Sequence, residues 1–576
     1  MGKKIEVIQN ELRKKVSKNI FVSEWHASIV LDGEVADWNE VVKAGKLAAN
    51  RGYKGVVNRI VVPGITLPTI KKPHVESGEL DGRHVDVLII GGGVIGCSIA
   101  RELSKWEISI LLIDKEADVA MHASSRNDGM VHPGIEPKTG SKKAIFNVLG
   151  NKMYTEVARQ LDVPFERIGS IVLFDKWWIR IASPVIYKKA KDNGVEGVRF
   201  LTKNEVKARE PNVTDDIAGG VFFPTTGVLS PYKLTVAYAE NAVSNGAEVA
   251  LNTIALSINR EKDRIVSVQT NRGTIYPKTV IDAAGVYADE IADMAGDRFF
   301  TIHPRKGEMA YLDKNKGTLV HSVVAKPSLD IFGGDTKGGG VVKTIDGNLL
   351  IGPDAYEQPL REDFTTNCGH IDRVLQKHLP IVPKLSLTDV IAYSAGIRAP
   401  TYEEDFIIEK SEYVSNLLYA AGIQSPGLAS APAIAAEMEK LTLDILRQTM
   451  QVKPRAGFNP ERKGIPRLHE LDARARSELI KSRPDYGEIV CRCEEVSRGE
   501  IVDAIHSPVP VDTVDGIKRR VRAGMGRCQG GFCLPAVMNI IRDETGLPLD
   551  EITKKGGESN ILVCETKCEV AQKATV

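Results

Sequence analysis

No run of apolar residues in this sequence is long enough to cross a bilayer. The longest starts at Val85 and falls short of the roughly 20 residues that a spanning helix needs. The opening residues, MGKKIEVIQNELRKK, lack the apolar core of a signal peptide. A cytoplasmic protein is therefore expected, with any membrane association peripheral and through a partner. Excess charge of either sign is missing too: 76 Lys and Arg against 75 Asp and Glu leave a formal net charge of +1. Such a chain carries no bulk electrostatic footprint for nucleic acid or for an anionic surface. Cysteine is scarce, with eight in 576 residues, yet four of them crowd between Cys491 and Cys533. In a reducing compartment that crowding points to metal ligation, not to disulfides. The remaining composition is that of an ordinary globular protein, too long for one core, so about two to four domains are expected.

The stretch that organises the rest is VDVLIIGGGVIGCSIARELSKWEISILLIDKE, Val85 to Glu116. Val85 to Ile90 is a short apolar run bounded by glycines and reads as a buried strand. Gly91, Gly93 and Gly96 supply G-x-G-x-x-G, and Val94 to Ser104 read as the helix that follows. Ile108 to Ile113 form a second strand, which Asp114 ends. Glycines at these spacings let the chain turn tightly and let a pyrophosphate approach the backbone. The helix N-terminus offers that phosphate free N–H groups and the positive end of its dipole. Asp114 stands where a ribose hydroxyl needs an acceptor. No second complete G-x-G-x-x-G with its own acid follows, which argues against a separate NAD(P)H domain.

Residues 1–84 read as a separate small αβ unit. Lys4 to Val16 is a helix, Ala27 to Leu31 a strand and Gly33 a turn. Asp37 and Glu40 have capping-box spacing at the start of a helix that runs through Ala48, and Val56 to Val62 is another strand. The run from His26 to Val62 resembles the small BON-type domains, which are associated with binding. An αβ appendage or assembly surface is the other reading. PGITLPTIKKP, Pro63 to Pro73, looks like an extended linker.

Residues 85–449 alternate strands and helices without a break. SSRNDGMVHPGIEPKTGSKKA, from Ser124, is small and polar, as a loop packed along a cofactor would be. Strand-rich pieces such as GSIVLFD, GGVFFPTTGVLSP and DGNLLIGPDA follow. Glu248 to Ile254 and Thr279 to Ala283 read as further strands of the nucleotide domain. VIDAAGVYADEIADMAGD, from Val280, and NLLYAAGIQSPGLASAPAIAAEM, from Asn416, each repeat strand, small-residue turn and helix. A chain that returns three times to that pattern is wrapping one extended ligand. Residues 450–486 form a basic, proline-rich strap with a short helix near Leu471 to Ile480, read as a solvated connector.

Residues 487–576 hold the cysteines. Cys491, Cys493, Cys528 and Cys533 are spaced C-x-C, a long helical insert, then C-x4-C. Four thiolates in two close pairs suit a [2Fe–2S] cluster or a structural zinc. Ser497 with Glu500 is a capping box for the insert, and Cys533 starts a helix from Leu534 to Glu544. Gly524, Gly526, Gly530 and Gly531 leave backbone N–H groups open to sulfur. Cys564 and Cys568 read as thiols outside this set, and Cys97 and Cys368 as packing residues.

GGGVIGCSIAREL, IDAAGVYAD and GIQSPGLASAPAIA resemble, in content and order, the FAD-binding segments of the D-amino-acid oxidase/glycerol-3-phosphate dehydrogenase superfamily. The resemblance covers Val85 to about Leu446 and implies FAD, with a β-rich substrate domain inserted between nucleotide-binding pieces. It implies that Gly91, Gly93 and Gly96 approach the pyrophosphate and Asp114 the adenosine ribose. Ser125, Arg126, Asn127 and Gly129 would line the flavin side. Gly285 and the turn Gly422 to Leu428, with Pro426 and Gly427, would close over the isoalloxazine. The CQGGFC loop resembles bacterioferritin-associated-ferredoxin-like [2Fe–2S] domains. FAD module followed by ferredoxin-like module resembles the large subunits of anaerobic glycerol-3-phosphate dehydrogenases. The expected architecture is α/β: a Rossmann-like FAD-binding domain with an inserted β-rich substrate domain, a small N-terminal αβ domain and a small C-terminal helical [2Fe–2S] domain.

A flavin takes electrons in pairs and an iron–sulfur cluster takes them singly. Holding both suits a dehydrogenase that passes electrons to a quinone-linked partner or an acceptor subunit. The substrate is expected to be a small anionic hydroxy compound, with glycerol 3-phosphate first. GMVHPGIEPKTGSKKA also resembles L-2-hydroxyglutarate dehydrogenases, and Ile135-Glu136 stand where glycerol-3-phosphate enzymes often place an arginine. Arg398, Lys343 and Arg305 with Lys306 are the candidates for the anionic group, and His132 for the base near the hydroxyl. An electron-transfer or redox-sensing subunit without its own substrate is the reading from another class.

Overall fold

The computed structural model describes residues 2–326 and 339–564. At its centre Arg83–Ile90 lies between Ile110–Ile113 and Gly273–Asp282, all parallel, with Glu248–Ala250 parallel beyond Ile110–Ile113. Ile110–Ile113 and the end of Arg83–Ile90 are near-continuous Val, Ile and Leu because both faces of a parallel sheet are covered. Val87 and Ile89 pack toward the helices Val94–Leu103, Lys142–Gln160, Pro231–Ser244 and Gly427–Leu446. Leu88 and Ile90 pack on the other side, toward Ala288–Met294. The end of Gly273–Asp282 pairs in parallel with Leu417–Ala421 (Val280 with Leu417). Its start pairs antiparallel with Arg264–Thr270. The three glycine-rich turns therefore leave one sheet edge side by side.

A second, nine-stranded sheet is woven from pieces on either side of the nucleotide-binding strands. Its long strand Arg305–Leu312 runs antiparallel to Val390–Arg398, with Arg305 opposite Arg398. Gly340–Lys343, Val323–Ala325 and Ser170–Phe174 continue it outward. This is the inserted β-rich layer, and its concave face looks at the glycine-rich turns.

The chain before Val85 forms a helix, Gly2–Lys15, a hairpin of Ile20–Trp25 and Ser28–Gly33, a helix, Trp38–Ala48, and a strand, Val56–Asn58. Ile20–Trp25 was not legible in the sequence: the hairpin turns at His26 and Ala27, both left-handed at φ 47° and 59°. Neither is the Asn or Gly that signals such a turn. The capping box at Asp37 is only half formed. Asp37 accepts from the Glu40 N–H, but Glu40 reaches past it to Ala36 N. The strand expected to reach Val62 stops at Asn58, whose side chain bonds Val41 O and Tyr402 Oη while its N–H donates to Thr301 Oγ1. Tyr402 belongs to the small unit's core, so the unit is docked on the oxidoreductase domain.

The strap stays largely exposed, as a solvated connector would, but it is also bonded to the oxidoreductase domain. Arg455 donates to the carbonyls of Ser104 and Trp106, Asn459 and Asn245 bond one another, Arg462 pairs with Glu240, and Gly464 N–H meets Asp162. Its helix runs Ala473–Ser482. Three helices, Arg498–Ile505, Val514–Val521 and Leu534–Thr545, then close a separate small core around Ile501, Ile517 and Ile541. Ser497 and Glu500 form both bonds of their capping box. Cys97 is buried as expected, but Cys368 is exposed at the start of the helix Cys368–His378 and is not a core residue. Cys568 lies outside the described residues. Among the described residues no helix is long and apolar enough to cross a membrane.

Candidate functional site

The glycine-rich turns and the concave sheet enclose a cavity of about 290 Å³. Gly93, Arg126, Asn127, His132, Gly285, Arg398, Pro426, Gly427 and Leu428 all line it. Gly93 precedes the Val94–Leu103 helix, and a Cβ there would meet only Ser124 Oγ, at 3.2 Å. Its open side and the free helix N-terminus suit a pyrophosphate. Gly285 is left-handed (φ 59°), and a Cβ there would meet nothing within 4 Å, so the backbone is open to the cavity at this point.

The other expected cofactor residues are not part of this cavity's lining. A Cβ on Gly96 would lie 1.9 Å from Gly91 O, so this glycine lets helix and strand touch. Gly91 itself passes close to Ala283 O, Gly129 to Leu229 O and Gly422 to Thr401. Asp114 accepts from Gly92 N–H at 2.6 Å and from Glu116 N–H at 2.8 Å, which fixes the glycine loop. Burial first, then the Glu116 charge, raises its pKa above that of an ordinary aspartate. Ser125 bonds His122 O and turns away from the cavity. Its neighbour Ser124, which the sequence reading passed over, lines the cavity and accepts from Val94 N–H at 2.9 Å. Gln424 and Ser425, inside the turn Gly422 to Leu428 that the resemblance singled out, line the cavity too.

The candidates for an anionic ligand separate clearly. Arg305 is buried and committed: it bonds Glu357 at 2.9 Å, Gln424 at 3.3 Å and Glu404. Lys306 is buried against Asp363 at 2.8 Å. Lys343 does not line the cavity. Gly340 and Val342 do, and strand alternation puts Lys343 on the opposite face. Arg398 does line it, with Nη2 donating to Asp354 O at 3.2 Å and Nη1 buried without a partner. Burial first, then the charge of Arg305, lowers its pKa. A buried guanidinium N–H with no acceptor calls for a carboxylate or phosphate oxygen. In the same cavity His132 has its carbonyl held by Asn147 and Asn151, at 2.7 and 2.9 Å, and its Nε2 3.5 Å from Ser425 Oγ.

The four cysteines converge in the C-terminal domain. Cys491 and Cys493 sulfurs are 3.8 Å apart, and Cys493 and Cys528 sulfurs 3.9 Å. No three of the four lie mutually within 4.8 Å. One tetrahedral zinc with bonds of about 2.3 Å would hold every pair at about 3.8 Å. An elongated two-metal cluster fits the spread better. A Cβ on Gly526 would sit 2.4 Å from Cys493 Sγ, so glycine keeps the loop against the sulfur. The Phe532 N–H, followed by those of Gly530 and Gly531, lowers the Cys528 pKa. Burial first, then Cys491, pushes Cys493 up to about 11. The domain is pinned to the rest of the chain. Arg519 and Arg520 both bond the fully buried Asp118, at 2.6 and 2.9 Å. Arg522 bonds Asp346, Asn348 and Glu494.

Comparison with known proteins agrees with this geometry. Residues 86–441 match the family model "FAD dependent oxidoreductase", and residues 489–543 match "BFD-like [2Fe-2S] binding domain". The chain is 41% identical over 487 residues to a glycerol 3-phosphate dehydrogenase of Caloramator mitchellensis, covering 84% of this chain and 99% of that protein. It is 28% identical to an L-2-hydroxyglutarate dehydrogenase of Escherichia coli, over 61% of this chain and 92% of the other. A solved structure of L-alpha-glycerophosphate oxidase from Mycoplasma pneumoniae with FAD bound superposes with a TM-score of 0.60 at 27% identity, covering 66% of this chain and 98% of that one.

Proposed function

The chain belongs to the FAD dependent oxidoreductase family, and from that premise we propose that it oxidises glycerol 3-phosphate to dihydroxyacetone phosphate. FAD supplies the two-electron oxidation and the [2Fe–2S] cluster the one-electron relay. The observation that carries the substrate reading is Arg398 Nη1, buried in the cavity with no partner of its own. A substrate phosphate satisfies it and fixes the carbon chain. With its proton on Nδ1, His132 presents Nε2 to the cavity and holds the proton that leaves the hydroxyl. Met130, Met309 and Val323 line the same space and keep water from competing for that proton. Gly93 and Gly285, with the N-terminus of Val94–Leu103, are the positions that receive the dinucleotide. Cys491, Cys493, Cys528 and Cys533 are the cluster ligands.

Electrons leave to a quinone-linked partner or an acceptor subunit. The support is the exposure of Cys493 and of Phe532, 90% accessible beside the ligand loop. A 2-hydroxy acid such as L-2-hydroxyglutarate is the second reading, favoured by Ile135-Glu136 in the loop after His132 and by the similarity to L-2-hydroxyglutarate dehydrogenase. Anaerobic titration separates the two. Glycerol 3-phosphate should bleach the flavin band and then change the cluster spectrum, while L-2-hydroxyglutarate leaves both unchanged. The opposite pattern transfers the assignment to the acid, and bleaching by neither removes both.

A further inference from the structure

The near-neutral bulk charge hides a local exception on the inserted layer. From Lys176 to Lys191 the sequence is KWWIRIASPVIYKKAK, with five cations and no acid in sixteen residues. It folds as a short 3-10 helix, Trp177–Ala182, that runs straight into the α-helix Ser183–Asn193. Ile179, Ile186 and Ala190 face inward onto a small core with Phe174, Val195 and Phe223. The opposite side should be polar if it met only water. Instead Trp177 is 72% exposed, Trp178 47%, Ile181 71% and Val185 70%. Spaced three and four residues apart, they make one outward apolar stripe. Lys176, Arg180, Lys188 and Lys191 stand exposed around it.

We propose that this segment docks the protein on the surface of an anionic lipid bilayer. Two indoles and two aliphatic side chains on one face are what the headgroup boundary takes up. The flanking Lys and Arg keep their heads in water and at the lipid phosphates while their stems line the apolar stripe. The ring is basic on balance, five cations between Asp175 and Asp192, and so complements a negative leaflet, and a helix that lies flat needs no spanning length. The segment is not a loose tail. Lys189 Nζ donates to Glu136 O at 3.0 Å, which ties the helix to the loop after His132 at the mouth of the cavity.

The test uses the full-length holoprotein and flotation with vesicles of phosphatidylcholine, alone or mixed with phosphatidylglycerol. The wild type should float with the mixed vesicles. Trp177→Ser with Ile181→Ser should cut the bound fraction at least tenfold, roughly what losing two large apolar groups implies. Turnover with a soluble dye and flavin content should stay at wild-type values, which shows that the outward substitutions leave the fold intact. Lys188→Glu with Lys191→Glu should remove the dependence on phosphatidylglycerol. A wild type that stays with the soluble fraction in both mixtures overturns the proposal, as does a Trp177→Ser, Ile181→Ser variant that floats like the wild type. A dimer in sedimentation that these substitutions dissolve would also overturn it, by giving the stripe to a second protein copy.

Discussion

At the scale of single residues, Arg398 differs from Arg305 and Lys306 in having an N–H left over. Arg398→Ala should lower kcat/KM by about 100-fold, the order expected when a charge-assisted bond to a bound anion is lost. Most of that loss should appear in KM, and flavin content should not change. Arg398→Lys should recover only part, because a point charge cannot replace the fork. Steady-state kinetics at saturating acceptor read both. Glu403 offers a pH test. Burial pushes its carboxyl from 4.5 up to about 7, only partly offset by backbone and Thr401 bonds. The folded protein then holds an extra proton between those values, so stability falls as pH rises from about 4.5 to about 7. Glu403→Gln should be more stable than the wild type at pH 8, by about 3 kcal/mol, and equal to it near pH 4.5. Thermal melts at the two pH values check the sign. Little of this was legible in the sequence. Arg398 stood out there only by its place in AGIRAP, nothing along the chain marked Arg305 and Lys306 as spent, and Ser125 was preferred to Ser124. Only folded neighbours distinguish a spent guanidinium from a free one.

At the scale of elements, the cluster loop is only partly separable from the domain that carries it, because Cys491 and Cys533 belong to that domain's core. The core of Ile501, Ile517 and Ile541 does not include Cys528, which lies at the exposed rim. Cys528→Ser should therefore lose iron and the cluster absorbance while FAD stays bound. Iron analysis and the visible spectrum after anaerobic purification measure both. If zinc is found in the wild type, the two-metal reading of the sulfur spread fails. Elements with strong local signals stood plainly in the sequence. The helix after Gly93, the capping box at Ser497 and the cysteine helix each depend on residues a few positions apart. Elements without such signals did not. The hairpin at His26 and Ala27 carries no turn residue, and Asn58 ends its strand because Thr301 and Tyr402, far along the chain, claim it.

At the scale of the whole molecule, the cluster domain is held by buried charge. Asp118 receives Arg519 and Arg520 with no exposure to solvent, and Arg522 ties the same helix end to Asp346 and Asn348. Removing one member of a buried charge group leaves the others unpaired, at a cost of about 3–5 kcal/mol. Asp118→Ala should thus loosen the cluster domain without touching the flavin cavity. In stopped-flow spectra the flavin should bleach with substrate at the wild-type rate, while cluster reduction slows at least tenfold, and an unchanged second phase would mean that docking does not govern transfer. The sequence by itself determined the modules and their order. A dinucleotide fingerprint and a cysteine set are short-range patterns, and their chemistry is fixed by spacing along the chain. Tertiary structure decided how the modules meet and which side chains are left to work. The strap is bound because Arg455 and Arg462 find partners hundreds of positions away. Arg398 is available because Glu357 and Glu404 are used up on Arg305. Ion pairs form between groups that folding brings within about 4 Å, and distance along the chain does not encode which groups those are.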